Sequence, residues 1–253
     1  MRKGTTFIEG SDMSPVDNRR DHRAPRYSPF DPGPWTPLPL EGRKLVCIDL
    51  FSGLGGFSAA MREDPRWEVV TVELMEEFKP TVCADIMGLD HVALPHKPDL
   101  LVASPPCVAF SHMGHWKYWE GDVPTADGVL LIGLVAKTFW LIRKLNPVFW
   151  VVENPKARLR KVIGVPNTTQ WWGAWGAPWA KPTDLWGRFP VSMRFRGRPP
   201  PGAVSLTMGK TDHDNAAVRS LVPLEFSREL KRAVEADYGL PPSDGDVYKG
   251  TAP

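Results

Sequence analysis

A chain of 253 residues, 42% of them hydrophobic, has apolar material for one sizeable α/β domain or two small ones, which excludes a disordered polypeptide. Its net charge of +2 says little by itself about partners. Three cysteines without regular spacing exclude a disulfide framework and point to a reducing, cytoplasmic setting.

Residues 1–42 are rich in Pro, Asp, Arg and Ser, and PFDPGPWTPLP sustains neither helix nor ladder pairing, so an irregular N-terminal tail is expected, with Trp35 and Leu38 as docking points. The opening MRKGTTFIEGSDMS lacks the apolar centre of a signal peptide. From Lys44 the pattern changes. KLVCIDL reads as a buried strand, GGFSAAMRED as a helix, WEVVTVEL, DLLVASP and PVFWVVEN as further strands, with a helix from Gly128 to Leu145 before the last. That helix contains the longest apolar run, which is too short to cross a bilayer and carries Lys137. Strands that are apolar almost throughout and alternate with helices predict a Rossmann-like α/β fold, a mostly parallel sheet with helices on both faces. Cys47 and Cys83 are expected in its core.

Beyond Ala157 the order weakens into a Trp- and Gly-rich stretch and the charged MRFRGRPPPG. A final helix is expected over PLEFSRELKRAVEADYG, with Pro223 in its first turn and Gly239 past its end. Between Glu153 and Pro200, nine Lys or Arg against two acids leave +7, so the remainder of the chain sums to −5. One face is therefore basic, as a polyanion site requires.

In sheets of this kind ligands sit beyond the carboxyl ends of the strands. Those ends read DLFSGLGG, VELMEE, ASPPC and VENP. The glycines at 53, 55 and 56 suit either a tight connection or close approach to a ligand at a helix N-terminus. Glu73 and Asp85 add carboxylates suited to a ribose diol and an exocyclic amine. Pro105 and Pro106 stiffen the turn that presents Cys107, while Glu153 and Asn154 end a later strand on the same edge. A carboxyl group against low-dielectric walls there can stay protonated and donate.

These motifs resemble the DNA cytosine-5 methyltransferases. DLFSGLGG is similar to the family's first motif, SPPCVAFS to the motif holding its nucleophile, and ENP to its Glu-Asn-Val. GAPWAKPTDLW is similar to its Gly-x-Pro-Gln-x-Arg-x-Arg strand, as in small phage-type relatives. The resemblance implies an S-adenosylmethionine-dependent methyltransferase fold over residues 43–253. It implies a cofactor, S-adenosylmethionine or a derivative, held by Asp49, Phe51, Ser52, Gly53, Gly55, Gly56, Glu73, Asp85, Ile86 and Pro105. It places the nucleophile on Cys107 and the proton donor on Glu153, with Asn154, Lys181 and Thr183 completing the catalytic set. A thiolate at C6 of cytosine, with a donor at N3, makes C5 enamine-like and able to take the methyl group, on a base swung out of the duplex.

DNA is the implied partner of a monomeric protein, with no membrane. Ser111, His115, Lys117, Arg158, Arg160, Trp179, Arg194, Arg196 and Arg198 are the candidate DNA contacts, most of them in a basic, Trp-rich region spanning about 156–220. Arg194, Arg196 and Arg198 read either as phosphate contacts or as the guard of an edge strand. The tryptophans between 171 and 186 read as core or as base-stacking groups, and HMGHWKYW as a loop that closes over the flipped base. Cys107, His112 and His115 lack a fourth ligand, so no metal is expected. Two departures from the family stand out: Pro155 for valine, and Lys181 and Thr183 for arginines. The span from 187 to 221 is also too short for a separate recognition domain, which predicts short or relaxed sequence recognition. Three readings of the activity follow: methyl transfer to DNA cytosine, the same covalent chemistry with a larger donor group or an RNA substrate, and a silent nucleic-acid-binding homologue. Retention of both Cys107 and Glu153 speaks against the last.

Overall fold

In the computed structural model, which describes residues 39–112, 114–198 and 220–242, the apolar runs form strands β1 (Leu45–Leu50), β2 (Trp67–Glu73), β3 (Val82–Cys83), β4 (Leu100–Ala103) and β7 (Phe149–Pro155). These five pair in parallel in the order β3-β2-β1-β4-β7. Two further strands, β8 (Thr168–Trp171) and β9 (Pro182–Arg188), extend the sheet beyond β7, with β9 antiparallel to both of its neighbours. A small hairpin, β5 (Trp119–Glu120) and β6 (Val123–Pro124), stands apart.

The central strands are buried on both faces because each face has its own cover. Helix α2 (Ala126–Leu145) lays Val135, Phe139 and Ile142 against Ile48, Leu50, Leu101 and Val152. Thr125 caps its N-terminus by accepting from the Gly128 amide, and Asn146 ends it in the left-handed region. On the other face lie α1 (Ala59–Arg62) and α4 (Leu224–Asp237), whose Phe226, Leu230 and Val234 meet Cys47, Val102, Val151 and Leu185. Ser227 ties the two helices together, accepting from the Ala60 amide at 3.1 Å and donating to the Phe57 carbonyl at 2.8 Å. A one-turn helix, α3 (Leu159–Ile163), follows β7.

Several expectations change here. The helix expected over GGFSAAMRED shrinks to a single turn, since Gly55 and Gly56 are spent on the turn before it and Pro65 biases Asp64 away from helix. Cys47 is buried as expected, but Cys83 is exposed, because β3 is an edge strand of two residues with nothing packed over it at that point. Trp172, Trp175 and Trp186 are core residues; the first two close on Phe226 with ring centroids 5.2 and 5.1 Å apart, pairs worth about 1 kcal/mol each beyond their burial. The segment 194–198 joins no ladder, so it is not an edge strand. Trp35 and Leu38, and all of residues 199–219, lie outside the described residues.

Candidate active site

The carboxyl ends of β1, β2, β4 and β7 meet along one edge, and the strand order reverses direction between β1 and β4, where an open crevice forms in sheets of this type. At the end of β1 the backbone turns through two left-handed residues, Phe51 at φ 58° and Gly53 at φ 47°. Glu73, ending β2, holds this turn: one oxygen accepts from the Gly53 amide at 2.9 Å and the other from Leu74 at 2.8 Å. A Cβ placed on Gly53 would meet nothing within 4 Å. The space beside that backbone is open, and only glycine takes its dihedral without strain.

Gly55 and Gly56 have other reasons to be glycine. The Arg62 guanidinium crosses Gly55 and donates to its carbonyl at 2.7 Å, and a Cβ on Gly56 would stand 2.8 Å from the Val222 carbonyl oxygen. Gly56 therefore lets the segment leading into α4 pass close by, a packing role that the glycine pattern alone did not distinguish from ligand approach. Asp49 is buried beneath the turn, where burial raises its carboxyl group to about 6 against the pull of the Ser58 hydrogen bond and the Arg62 charge. Farther along the edge Asp85 is exposed, accepting from the Met87 amide at 2.9 Å, and Ile86 is buried beside it. Three apolar side chains that the sequence did not single out, Leu74, Met75 and Met87, are exposed next to Glu73 and Asp85. An exposed apolar rim beside two carboxylates suits a ligand with a flat ring and a diol.

The turn after β4 carries the candidate nucleophile. Pro105 is buried, and the Asn154 side-chain amide donates to its carbonyl at 3.0 Å, joining the Pro-Pro-Cys turn to β7. Cys107 starts a single helical turn whose carbonyl accepts from Phe110 and Ser111 at 2.9 and 2.8 Å. Its thiol is partly buried. Burial pushes it above the ordinary range, the Glu153 charge pushes it further, and Lys181 pulls it back. Glu153 is buried at the end of β7, and the Lys181 ammonium, only 15% exposed, lies 3.5 Å from its carboxylate. Cross-strand register puts Glu153 opposite Leu185 and Pro155 opposite Thr183, so Glu153 and Thr183 share a sheet face. The buried Thr183 hydroxyl has no hydrogen-bond partner among the described residues.

The candidate polyanion contacts separate into two kinds. Arg194 and Arg198 are exposed, Arg198 over the Trp171 ring at 4.8 Å, and Lys117 is exposed beside Trp116. Ser111 sits in the turn that Cys107 opens, and Trp179 is partly buried against the α4 side of the core. Others already hold the protein together. Arg160 is paired with buried Asp184 and with Thr169; Arg196 donates to the Ala174 carbonyl and lies on Trp175. Arg158 donates to Gly121 and pairs with Asp122 on the β5–β6 hairpin, lying 4.7 Å over the Trp119 ring. Residue 115 falls in a short helical turn spanning His115–Lys117. Among the described residues no three His, Cys, Asp or Glu side chains converge as metal ligands, and no helix is long and apolar enough to cross a membrane.

Compared with known proteins, residues 45–162 match the family described as C-5 cytosine-specific DNA methylase. The chain is similar to the type II methyltransferase M.HpaII of Haemophilus parainfluenzae, with 30% identity over 149 residues covering 55% of this chain and 38% of that one. It is also similar to the orphan methyltransferase M.SPRI of Bacillus phage SPR, with 32% identity over 126 residues covering 45% and 27%. The matched part thus spans well under half the length of these curated relatives. Among solved structures, the Entamoeba histolytica methyltransferase EhMeth aligns at 16% identity over 62% of this chain and 57% of that one, with a TM-score of 0.42.

Proposed function

We infer, on the premise that residues 45–162 match the C-5 cytosine-specific DNA methylase family, that this chain methylates carbon 5 of cytosine in DNA through a transient bond to Cys107. The observation that carries the reading is the convergence of a presented thiol, a buried carboxyl group and a partly buried ammonium at one edge of the sheet, beside an open glycine turn.

The residues at the β1 and β2 ends fit S-adenosylmethionine. Gly53 leaves room for a ligand against the backbone; Glu73 and Asp85 offer carboxylate oxygens for ribose hydroxyls and an exocyclic amine; Leu74, Met75 and Met87 offer apolar contact. Bound there, the cofactor supplies an electrophilic methyl group on a sulfonium. Asp49, Phe51, Ser52, Gly55, Gly56, Ile86 and Pro105 shape the same crevice.

Cytosine C5 is a weak carbon nucleophile. Cys107, as thiolate, adds to C6 while Glu153 donates to N3, and the ring electrons then collect at C5. Asn154 positions the nucleophile through its bond to the Pro105 carbonyl. A contact of the Thr183 hydroxyl with a polar edge of the base is supported by its lack of a partner among the described residues and by its place on the Glu153 face. Because ring faces are hidden in a duplex, the base leaves the stack before reaction. Arg194, Arg198 and Lys117 supply phosphate contacts whose strength falls as salt rises, and Ser111, His115 and Trp179 are further candidate DNA contacts. Arg158, Arg160 and Arg196 act on that surface mainly by fixing its shape.

The test is to incubate the protein with DNA and S-adenosylmethionine, digest to nucleosides and weigh them. A gain of one methyl on deoxycytidine supports the reading, a heavier adduct on added modified donor redirects it to the larger-group alternative, and unchanged nucleosides sink it.

A further inference from the structure

The site holds two acids that covalent chemistry needs in opposite states. Cys107 must lose its proton to attack, and Glu153 must hold one to donate. In the protein as folded the arrangement favours the reverse, since the Lys181 ammonium stands 3.5 Å from the Glu153 carboxylate and both side chains are largely buried. Burying one charge without the other would be costly, so the pair sits together as ions. The charges that act on the Cys107 thiol come from Glu153 on β7 and Lys181 just before β9, and they oppose each other.

We propose that Lys181 is a counter-ion shared between Glu153 and Cys107: while the site is empty it pairs with the ionised carboxylate, whose charge keeps the thiol protonated, and a pyrimidine docking against Glu153 reverses this assignment. This rests on the covalent reading above. The balance is closed within the site. The S–H bond of Cys107 breaks and an O–H bond forms on Glu153, so one proton changes place and the net charge of the three groups stays the same. The ammonium then faces a thiolate in place of a carboxylate, and the proton now on Glu153 is the one offered to N3 as the sulfur adds to C6. Lys181 is a positioning residue in this scheme: it touches neither reacting carbon. A lysine suits the exchange better than the arginines of the resembling motif, because an ammonium is a compact point charge that can turn from one partner to another, whereas a planar fork is built to stay on one carboxylate. The arrangement also protects an empty site, because a neutral thiol is a poor target for alkylation and oxidation.

Two measurements test this on the full chain. The first is alkylation of Cys107 by iodoacetamide without DNA, from about pH 6 to about pH 10, mapped by peptide mass in a Cys83→Ser background that removes the exposed thiol. Glu153→Gln is expected to lower the thiol midpoint by about one pH unit, speeding alkylation at neutral pH about tenfold. Lys181→Gln is expected to raise the midpoint and slow neutral alkylation about threefold or more, while Lys181→Arg stays within about twofold of wild type. Midpoints unmoved in both Glu153→Gln and Lys181→Gln overturn the shared counter-ion.

The second is formation of a covalent adduct with a duplex oligonucleotide bearing 5-fluorocytosine, in the presence of S-adenosylmethionine. Lys181→Gln is expected to form it about tenfold more slowly at neutral pH and to recover as pH rises and the thiol ionises by itself. A deficit of equal size at every pH overturns the exchange. Should wild type form no adduct at all, the covalent reading fails and the exchange fails with it, whereas the alkylation midpoints still decide whether Lys181 couples the two acids.

Discussion

The two ends of the sheet both bury charge, and they treat it differently. At the amino ends of the strands, buried Asp99 takes two bonds from the Arg43 guanidinium and one each from the Val46 amide and the Tyr238 hydroxyl. Nearby, Lys231, 2% exposed, is held between Asp64 and Glu235, which Arg66 also bridges and to which the Trp67 ring N–H donates at 2.7 Å. Burial alone would raise the Asp64 carboxyl group, but the bonds from Arg66 and Lys231 hold it well below the ordinary range. Burial and Asp99 together raise the Tyr238 hydroxyl. At the carboxyl ends, Glu153 meets Lys181 at 3.5 Å, Asp49 is raised to about 6, and the Thr183 hydroxyl has no partner among the described residues. One end uses its polar groups to hold strand starts to α4, and the other leaves a buried hydroxyl without a partner among the described residues.

The comparison breaks first at Cys107. Cys107→Ala should cut methyl transfer by about a thousandfold or more while leaving the melting temperature within about 2 °C of wild type; a fully active variant would place the chemistry elsewhere. At the other end, Lys231→Met leaves two buried carboxylates with less compensation and should cost about 3 kcal/mol of stability in urea unfolding, with turnover at low temperature retained. Loss of turnover without loss of stability would erase the distinction between the two ends.

Gly56→Ala tests the seam between them. Its new methyl group would press on the Val222 carbonyl at 2.8 Å, so a destabilisation of about 1–3 kcal/mol is expected from the displaced start of α4. Asp49→Asn should act in the opposite direction. Because folding raises the Asp49 carboxyl group from 3.8 to about 6, its contribution to stability is complete below about pH 4 and is lost as pH rises through about 6. The amide variant is therefore expected to be more stable than wild type at pH 7 by on the order of 1–2 kcal/mol, with no advantage at about pH 4; a constant difference across that range would refute the titration. Asp64 behaves in the reverse sense, its contribution present above about pH 4 and lost as pH falls below it. The smallest effect belongs to exposed Cys83, whose replacement by Ser should shift the melting temperature by less than about 1 °C.

Much of the frame is legible in the residues. Mostly apolar runs at 45–50, 67–73, 100–103 and 149–155 become parallel strands because a sheet covered on both faces takes apolar side chains at most positions. The candidate nucleophile and its carboxyl partner are visible because prolines and strand ends mark positions where a side chain is presented. Other features have no such local mark. A lysine 28 positions from Glu153 pairs with it because β9 folds back antiparallel beside β7, and nothing in the spacing announces that return. The arginines at 158, 160 and 196 read as candidate DNA contacts, and each is also engaged by groups that the chain alone does not bring near: Asp122, Asp184 and the Ala174 carbonyl.

By itself, then, the order of residues determined the class of fold, the edge on which polar groups gather and which thiol and carboxyl group are candidates there, since these depend on periodicity, proline and glycine, which act within a few residues. Tertiary structure alone decided which cations hold the protein together, which glycine answers to packing, that Cys83 faces solvent, and that the Lys181 ammonium stands 3.5 Å from the Glu153 carboxylate. Charge and contact act through space at a few ångströms, and only the folded chain sets those distances.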